Sequence, residues 1–365
     1  MAPTRRAVLA ASLAGLGGCL GSVDEVAVEC PAPVDAEETA RLGFVGDVML
    51  GRNVDDRWRD DPTGVWDGMT TRLDALDGLF LNLECCLSAR GDPRPGRTFH
   101  FRAHPSWAIP ALSSAGTVFA SQANNHVLDF GPRALTDTLA HLDDAGVHTA
   151  GSGPDRESAF EPAHLTVGEV DVAVVAATDQ SPSYAARADT AGTAYAPLRS
   201  SDRLTRNWVG GALARARERD PDLLIVSLHW GPNWETAPSE TQQSFARWLV
   251  DRGADVVHGH SAHVIQGVET YRGRPIVYDA GDFVDDYLVK DGLHNDRSFL
   301  FELVVRDGTL SALELVPVEI SNSRVTPADD AAAEWLRDRM RSLSAPFGTT
   351  VERAGTGLRI PLGDC

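Results

Sequence analysis

From residue 41 onward the chain alternates short apolar runs with longer amphipathic segments. "RLGFVGDVMLG" (41–51), "LDGLFLNLE" (76–84) and "GTVFASQANNH" (116–126) are apolar runs of strand length, each closing on polar residues. "VDVAVVAATD" (170–179), "LLIVSLHWG" (223–231), "VVHGHSAHVIQG" (256–267) and "RPIVYDAGDF" (274–283) repeat the pattern. Uninterrupted runs of this length predict buried strands. Between them the period changes. In "PRALTDTLAHLDDAGV" (132–147) Leu135, Leu139 and Leu142 share one helical face. "TRNWVGGALARARERDPD" (205–222) and "SETQQSFARWLVDRGAD" (239–255) also read as amphipathic helices, the second with Ser239 placed as N-cap. "SFLFELVVRDGTLSALELVPVEI" (298–320) predicts a β-hairpin around Asp307-Gly308. From about Ser321 the chain reads as a helix over 330–343 and then irregular structure.

Strands alternating with helices predict an α/β layered domain. There is no internal repeat and no low-complexity linker, so residues 41–320 read as one domain, with 321–365 as a C-terminal helix and tail.

The first forty residues have a different character. "MAPTRRAVLAASLAGLGGCLGS" joins the pair Arg5-Arg6 to an apolar stretch ending at Cys19. The stretch is too short to span a bilayer comfortably and fits the apolar region of an export signal. The arginine pair resembles a twin-arginine signal, and "LGGC" resembles a lipoprotein cleavage site that would leave Cys19 as a lipidated N-terminus. Residues 20–40 are acidic and contain proline, as in a flexible stalk. The expectation is a protein at the cell surface, anchored to the outer face of the cytoplasmic membrane. Export permits disulfides. Cys30 and Cys365 flank the folded region and are compatible with a staple, which sequence cannot assign. Cys85 and Cys86 are adjacent and read as structural. No CxxC pair is present, which argues against a zinc ribbon.

Charge narrows the partners further. Fifty-two acidic residues against 33 basic ones give a net of -19, and Lys290 is the only lysine. Such a surface repels nucleic-acid backbones, so no nucleic-acid partner is expected.

The chemistry sits at the strand ends. Asp47, Glu84, Asn125 with His126, His229, and the trio His258, His260 and His263 each close an apolar run. In an open α/β sheet the loops at the carboxyl ends of strands meet at one crevice. Oxygen and imidazole ligands without thiolate suit Mn, Fe or Zn. The set exceeds the needs of one tetrahedral ion and matches two ions sharing a carboxylate.

"GFVGDVMLGR", "NLE", "ANNHVLDFG", "LHWG" and "GADVVHGHSAHVIQGVETYRGRPIVYDAGDF", in that order over about 41–290, resemble the CapA (PgsA) family of poly-γ-glutamate capsule biosynthesis proteins. That family is similar to calcineurin-like metallophosphoesterases. The resemblance implies a four-layer αββα sandwich of the metallophosphoesterase type with a binuclear metal site. It places Asp47 and His263 on a first ion, Glu84 between the ions, and Asn125, His229 and His260 on the second. It leaves His126 to face substrate, oriented by Asp129, and turns His258 away. Four positions depart from the related patterns. Met49 stands where metallophosphoesterases have a ligating histidine, Ser261-Ala262 replaces His-Pro, and Asp282 replaces an asparagine.

The implied chemistry is metal-assisted hydrolysis, with His126 as general acid. The implied role is synthesis, export or anchoring of an anionic capsule polymer, alongside membrane polymer-synthase subunits. Two rivals stand beside it: a secreted metallophosphoesterase or nucleotidase acting on a phosphoester, and a non-catalytic accessory subunit of a polymer synthase. A serine hydrolase is disfavoured, since no G-x-S-x-G elbow is present.

Overall fold

The computed structural model describes residues 38–363. The segments expected to be an export signal and, for the most part, a stalk, with Cys19, Cys30 and Cys365, lie outside the described residues. Among the described residues no helix is long and apolar enough to cross a membrane.

Two sheets carry the fold. The larger has ten strands. Glu38–Val48 lies at its centre. On one side Gly78–Leu83, Thr117–Ser121 and His148–Ala150 follow in parallel. On the other side Arg297–Arg306, Thr309–Ser321 and Gly357–Pro361 run antiparallel. The six-stranded sheet is parallel through its middle, where Val170–Thr178, Leu223–His229, Val256–His260 and Arg274–Val277 pair in turn. The continuous apolar runs become side chains that alternate between two buried layers. Phe44, Phe80 and Phe119 face inward onto Val174, Ile225 and Val256 of the other sheet. Their neighbours Val45, Leu81 and Ala120 pack under the helices Pro105–Ser114 and Gly131–Asp144. Val175, Val226 and Val257 pack under Arg203–Arg217 and Glu240–Val250. Helix, sheet, sheet, helix is the four-layer αββα sandwich that the sequence led us to expect.

Local signals explain the boundaries. The Ser239 side chain caps its helix in a reciprocal capping box with Gln242. Asp307 and Gly308, both with positive φ, close a two-residue hairpin of the type such pairs favour. The C-terminal segment differs from expectation. Residues 321–365 read from the sequence as a helix followed by an irregular tail. Instead Arg324–Pro327 and Gly357–Pro361 pair with Thr309–Ser321, and Glu352–Ala354 extends the same edge. Leu336 and Met340 of the helix Asp330–Ser344 pack into the core between the sheets. The strands were missed because they are short, with only Leu358 and Ile360 of Gly357–Pro361 turned inward. The stalk boundary at residue 40 also moves, because the central strand begins at Glu38.

Candidate metal centre

Asp47 stands near the end of the central strand, held by glycine on one side and amide on the other. A Cβ on Gly46 would lie 1.8 Å from the Gly281 carbonyl oxygen, so only glycine lets the two backbones meet. Asn82, on the neighbouring strand, donates from Nδ2 to Asp47 Oδ1 at 2.7 Å. Three imidazoles surround the same carboxylate. His260 Nδ1 is 3.4 Å and His229 Nδ1 3.7 Å from Oδ1, and His263 Nδ1 is 3.4 Å from Oδ2. The two ring nitrogens of His229 and His260 approach to 3.1 Å.

Glu84 follows the second strand of the large sheet. Its Oε1 is 3.8 Å from His229 Nε2 and 3.7 Å from His126 Nε2. Two groups of metal-ligand geometry result, Asp47 with His229 and His260, and Asp47 with Glu84 and His263. In each, the ligating atoms lie within 4.8 Å of one another. Asp47 is thus common to both groups.

Charge and hydrogen bonding test whether a cation fits. Asp47 Oδ2, both oxygens of Glu84, Asn125 Oδ1 and Asp282 Oδ2 are buried without a hydrogen-bond partner. A buried acceptor left bare costs about 1–3 kcal/mol, and more when charged. Five such atoms around three imidazoles fit a set of divalent-cation ligands, and Asn125 offers its amide oxygen to it. Burial opposes ionisation of Asp47, yet bonding from His229, His260 and His263 holds its carboxyl well below the usual range. Burial, and then the charge of Asp47, push Glu84 well above it. Burial draws His260 down to about 4 and His258 to about 3. Burial also lowers His263, but Asp282 and Asp47 outweigh it and lift the ring well above its ordinary value.

His126 lies beside this cluster and its ring is fixed from two directions. Nδ1 is 2.5 Å from Asp129 Oδ2, and Phe101 stacks on the ring with centroids 3.8 Å apart. Burial draws the imidazole down to about 4, against Asp129. Asp129 is held in turn: Oδ2 accepts from the Phe101 N–H at 2.9 Å, and Oδ1 from Tyr184 Oη at 3.0 Å. Arg97 Nε lies 3.2 Å from Oδ1. Asn124 is structural, tying Leu83 and Asn82 to the loop and accepting from the His126 N–H. His258 faces Phe44 between the sheets, with centroids 5.4 Å apart. Met49 is fully buried, and its Sδ accepts from the Gly51 N–H at 3.2 Å.

Sequence reasoning did not single out Asn82 or Asp279. Asp279 accepts from the Ala262 N–H at 2.7 Å and the Gly281 N–H at 2.9 Å. It pins the turn in which Ser261 and His263 adopt positive φ. Nor did it find the walls of the cleft above His126 and His263, a cavity of about 570 Å³ lined also by Arg52, Arg97, Trp234 and Tyr287. Those residues lie in loops with no periodicity to betray them.

The family model and the curated relatives agree on family. Residues 41–287 match the model described as "Bacterial capsule synthesis protein PGA_cap". A "Probable polyglutamine synthesis accessory protein" of Mycobacterium tuberculosis is 35% identical, over 86% of this chain and 93% of its own. The "Capsule biosynthesis protein CapA" of Bacillus anthracis is 28% identical over 83% of this chain and 73% of its own. Among solved structures, a putative 5'-nucleotidase of Staphylococcus aureus is 14% identical with a TM-score of 0.44, the match covering 83% of this chain and 58% of that one. The chain belongs to the PGA_cap family of bacterial capsule synthesis proteins.

Proposed function

We propose that the protein works outside the cytoplasm on an anionic capsule polymer of the poly-γ-glutamate kind and cleaves it by metal-assisted hydrolysis at two divalent ions. The observation that carries this reading is the set of bare buried oxygens on Asp47, Glu84 and Asn125 beside His229, His260 and His263, next to an open cleft. The names of the relatives, given for capsule and polyglutamine synthesis, supply the polymer. The arginine pair and Cys19 supply the export route and the lipid anchor.

Asp47, Glu84 and His263 would hold one ion, and Asp47, Asn125, His229 and His260 the other. Bound divalent ions polarise a substrate oxygen and lower the pKa of water toward neutrality. The chain's own contribution is orientation. Asp129 fixes the His126 ring through Nδ1, which leaves Nε2 on the side of Glu84 as the atom that takes up a proton and passes it to the leaving group. Phe101 covers one face of that ring and shields it from water.

The test is to incubate the purified protein with poly-γ-glutamate and Mn, Fe or Zn and to follow chain length and newly exposed amino groups. Shortening that is lost in Asp47→Asn supports the reading. Turnover of a chromogenic phosphoester without shortening of the polymer replaces it with a phosphoesterase. Met49 favours a second reading. With its sulfur engaged by Gly51, the position two after Asp47 supplies no imidazole, as expected of a non-catalytic accessory subunit of a membrane polymer synthase. Unchanged polymer output in cells carrying a folded His126→Ala protein would select that reading.

A further inference from the structure

A chain of net charge -19 is a poor surface for a polyanion, yet the mouth of the cleft has the opposite sign. Arg52, Arg97 and Lys290 line it, and Asp286 is the only carboxylate among its lining residues. The single lysine of the whole sequence is therefore one of these three cations.

Aromatic rings hold each of them. The Arg52 guanidinium lies 5.5 Å from the centroids of Phe99 and Phe101 and 5.8 Å from that of Tyr287. Its backbone occupies φ +58, a region that costs a non-glycine residue about 1–3 kcal/mol. Arg97 lies 5.1 Å over Tyr184 and pairs through Nε with Asp129 Oδ1 at 3.2 Å. Lys290 Nζ sits 4.5 Å over Trp234, and among the described residues it makes no ion pair. Arg52 meets Asp286 at 3.0 Å, and its side chain still keeps 31% of its surface exposed. Between these charges the mouth carries apolar side chains. Phe99 and Leu288, both lining this mouth, are 58% and 89% exposed.

Cations alternating with exposed apolar surface match a ligand that alternates carboxylates with methylene segments. A phosphate group would satisfy the cations and leave Phe99 and Leu288 bare. We propose that Arg52, Arg97 and Lys290 read the free carboxylates of an extended polycarboxylate chain, while Phe99 and Leu288 pack against the methylenes between them. The assignment rests on the polymer reading given above and adds the residues that select the polymer. Arginine serves as the planar, two-point contact for carboxylate, and Lys290 as a point charge.

The experiment titrates full-length protein into an end-labelled poly-γ-glutamate oligomer and reads fluorescence anisotropy at low and physiological salt. Lys290→Gln and Arg52→Gln each weaken binding about tenfold, the salt dependence falls with each lost charge, and Lys290→Arg retains binding. Lys290 is exposed, so its variants keep the fold; melting temperature and metal content identify any Arg52 variant that does not. Polyphosphate of matched length and a methyl-esterified polyglutamate both bind more weakly. Wild-type affinity unchanged by both glutamine substitutions, or polyphosphate binding as tightly as polyglutamate, overturns the assignment alone. A wild-type protein that binds no polyglutamate overturns the polymer reading itself, and this assignment with it.

Discussion

His126 and Asp129 are three residues apart and share a 2.5 Å contact between Nδ1 and Oδ2, buried beneath the cleft. One turn of chain therefore fixes both the tautomer and the plane of the imidazole. Replacing Asp129 by Asn keeps the shape and offers the ring a neutral amide. The expected result is a fall in turnover of about 10²–10⁴-fold, the usual contribution of a positioned acid–base group. Metal content should stay at the wild-type level, because Asp129 belongs to neither ligand group. Turnover at saturating metal, measured beside elemental analysis, checks both.

Removal of metal should be visible in stability. Burial and the charge of Asp47 oppose ionisation of Glu84, a cost that a bound cation would remove. A ligand held only by the folded state at 100 times its Kd stabilises by about 2.7 kcal/mol. Dialysis against a chelator should therefore lower the melting temperature, and Mn or Zn should restore it. Asp47→Asn should abolish the restoration, since Asp47 is common to both ligand groups.

The ligand cluster was legible in the sequence because it obeys a simple rule. Period-two burial makes each strand a continuous apolar run, so a polar residue at the end of such a run stands out. Asp47, Glu84, His229 and His260 were found that way. Arg52, Arg97, Trp234 and Lys290 were not, because they sit on separate loops and converge only when the two sheets pack. Asn82 was hidden for a different reason. It lies inside the apolar run Gly78–Leu83, where an amide looks like an interruption rather than a partner for Asp47 and His229. The edge strand Gly357–Pro361 has too few apolar residues to announce itself.

Gly259 separates two imidazoles, and its reason is steric. A Cβ there would lie 2.0 Å from the Tyr278 carbonyl oxygen and 2.7 Å from Trp230 Nε1. Backbone on a neighbouring strand cannot yield as a flexible side chain would. Gly259→Ala should destabilise by about 1–3 kcal/mol, the range for overpacking a filled site. Because His260 moves with the strand, metal affinity should fall as well. Urea unfolding and a metal titration on the same sample read the two effects together.

Cys85 and Cys86 are both fully buried. Burial pushes the Cys86 thiol up to about 12 and Cys85 well above its ordinary value. Since the thiolate is the reactive form, both should resist alkylation at neutral pH while the protein is folded. Iodoacetamide followed by peptide mass mapping should find them unmodified in native protein and fully modified after denaturation. Rapid native labelling of Cys86 would contradict its burial against the His126–Asp129 turn, where its Sγ donates to the carbonyls of His126 and Val127.

Asp282 distinguishes this chain from the related Gly-Asn-Phe pattern, and its surroundings set two effects in opposite directions. Oδ1 lies 2.9 Å from His263 Nδ1, whereas Oδ2 is buried without a partner. Burial raises its pKa, with His263 acting against the rise. Without metal, repulsion from Asp47 is set against the favourable charge of His263. With metal, the charge of Asp282 strengthens the basicity and aim of His263, and outer partners of this kind are worth about 10–100-fold in metal affinity. Asp282→Asn should therefore leave the melting temperature of the chelator-treated protein nearly unchanged, the lost pair with His263 offsetting the lost repulsion, and lower its metal affinity by that factor. A role in packing alone would move only stability, and a direct ligand would cost a whole equivalent of metal. Calorimetric titration of the variant beside thermal melts with and without metal separates the three.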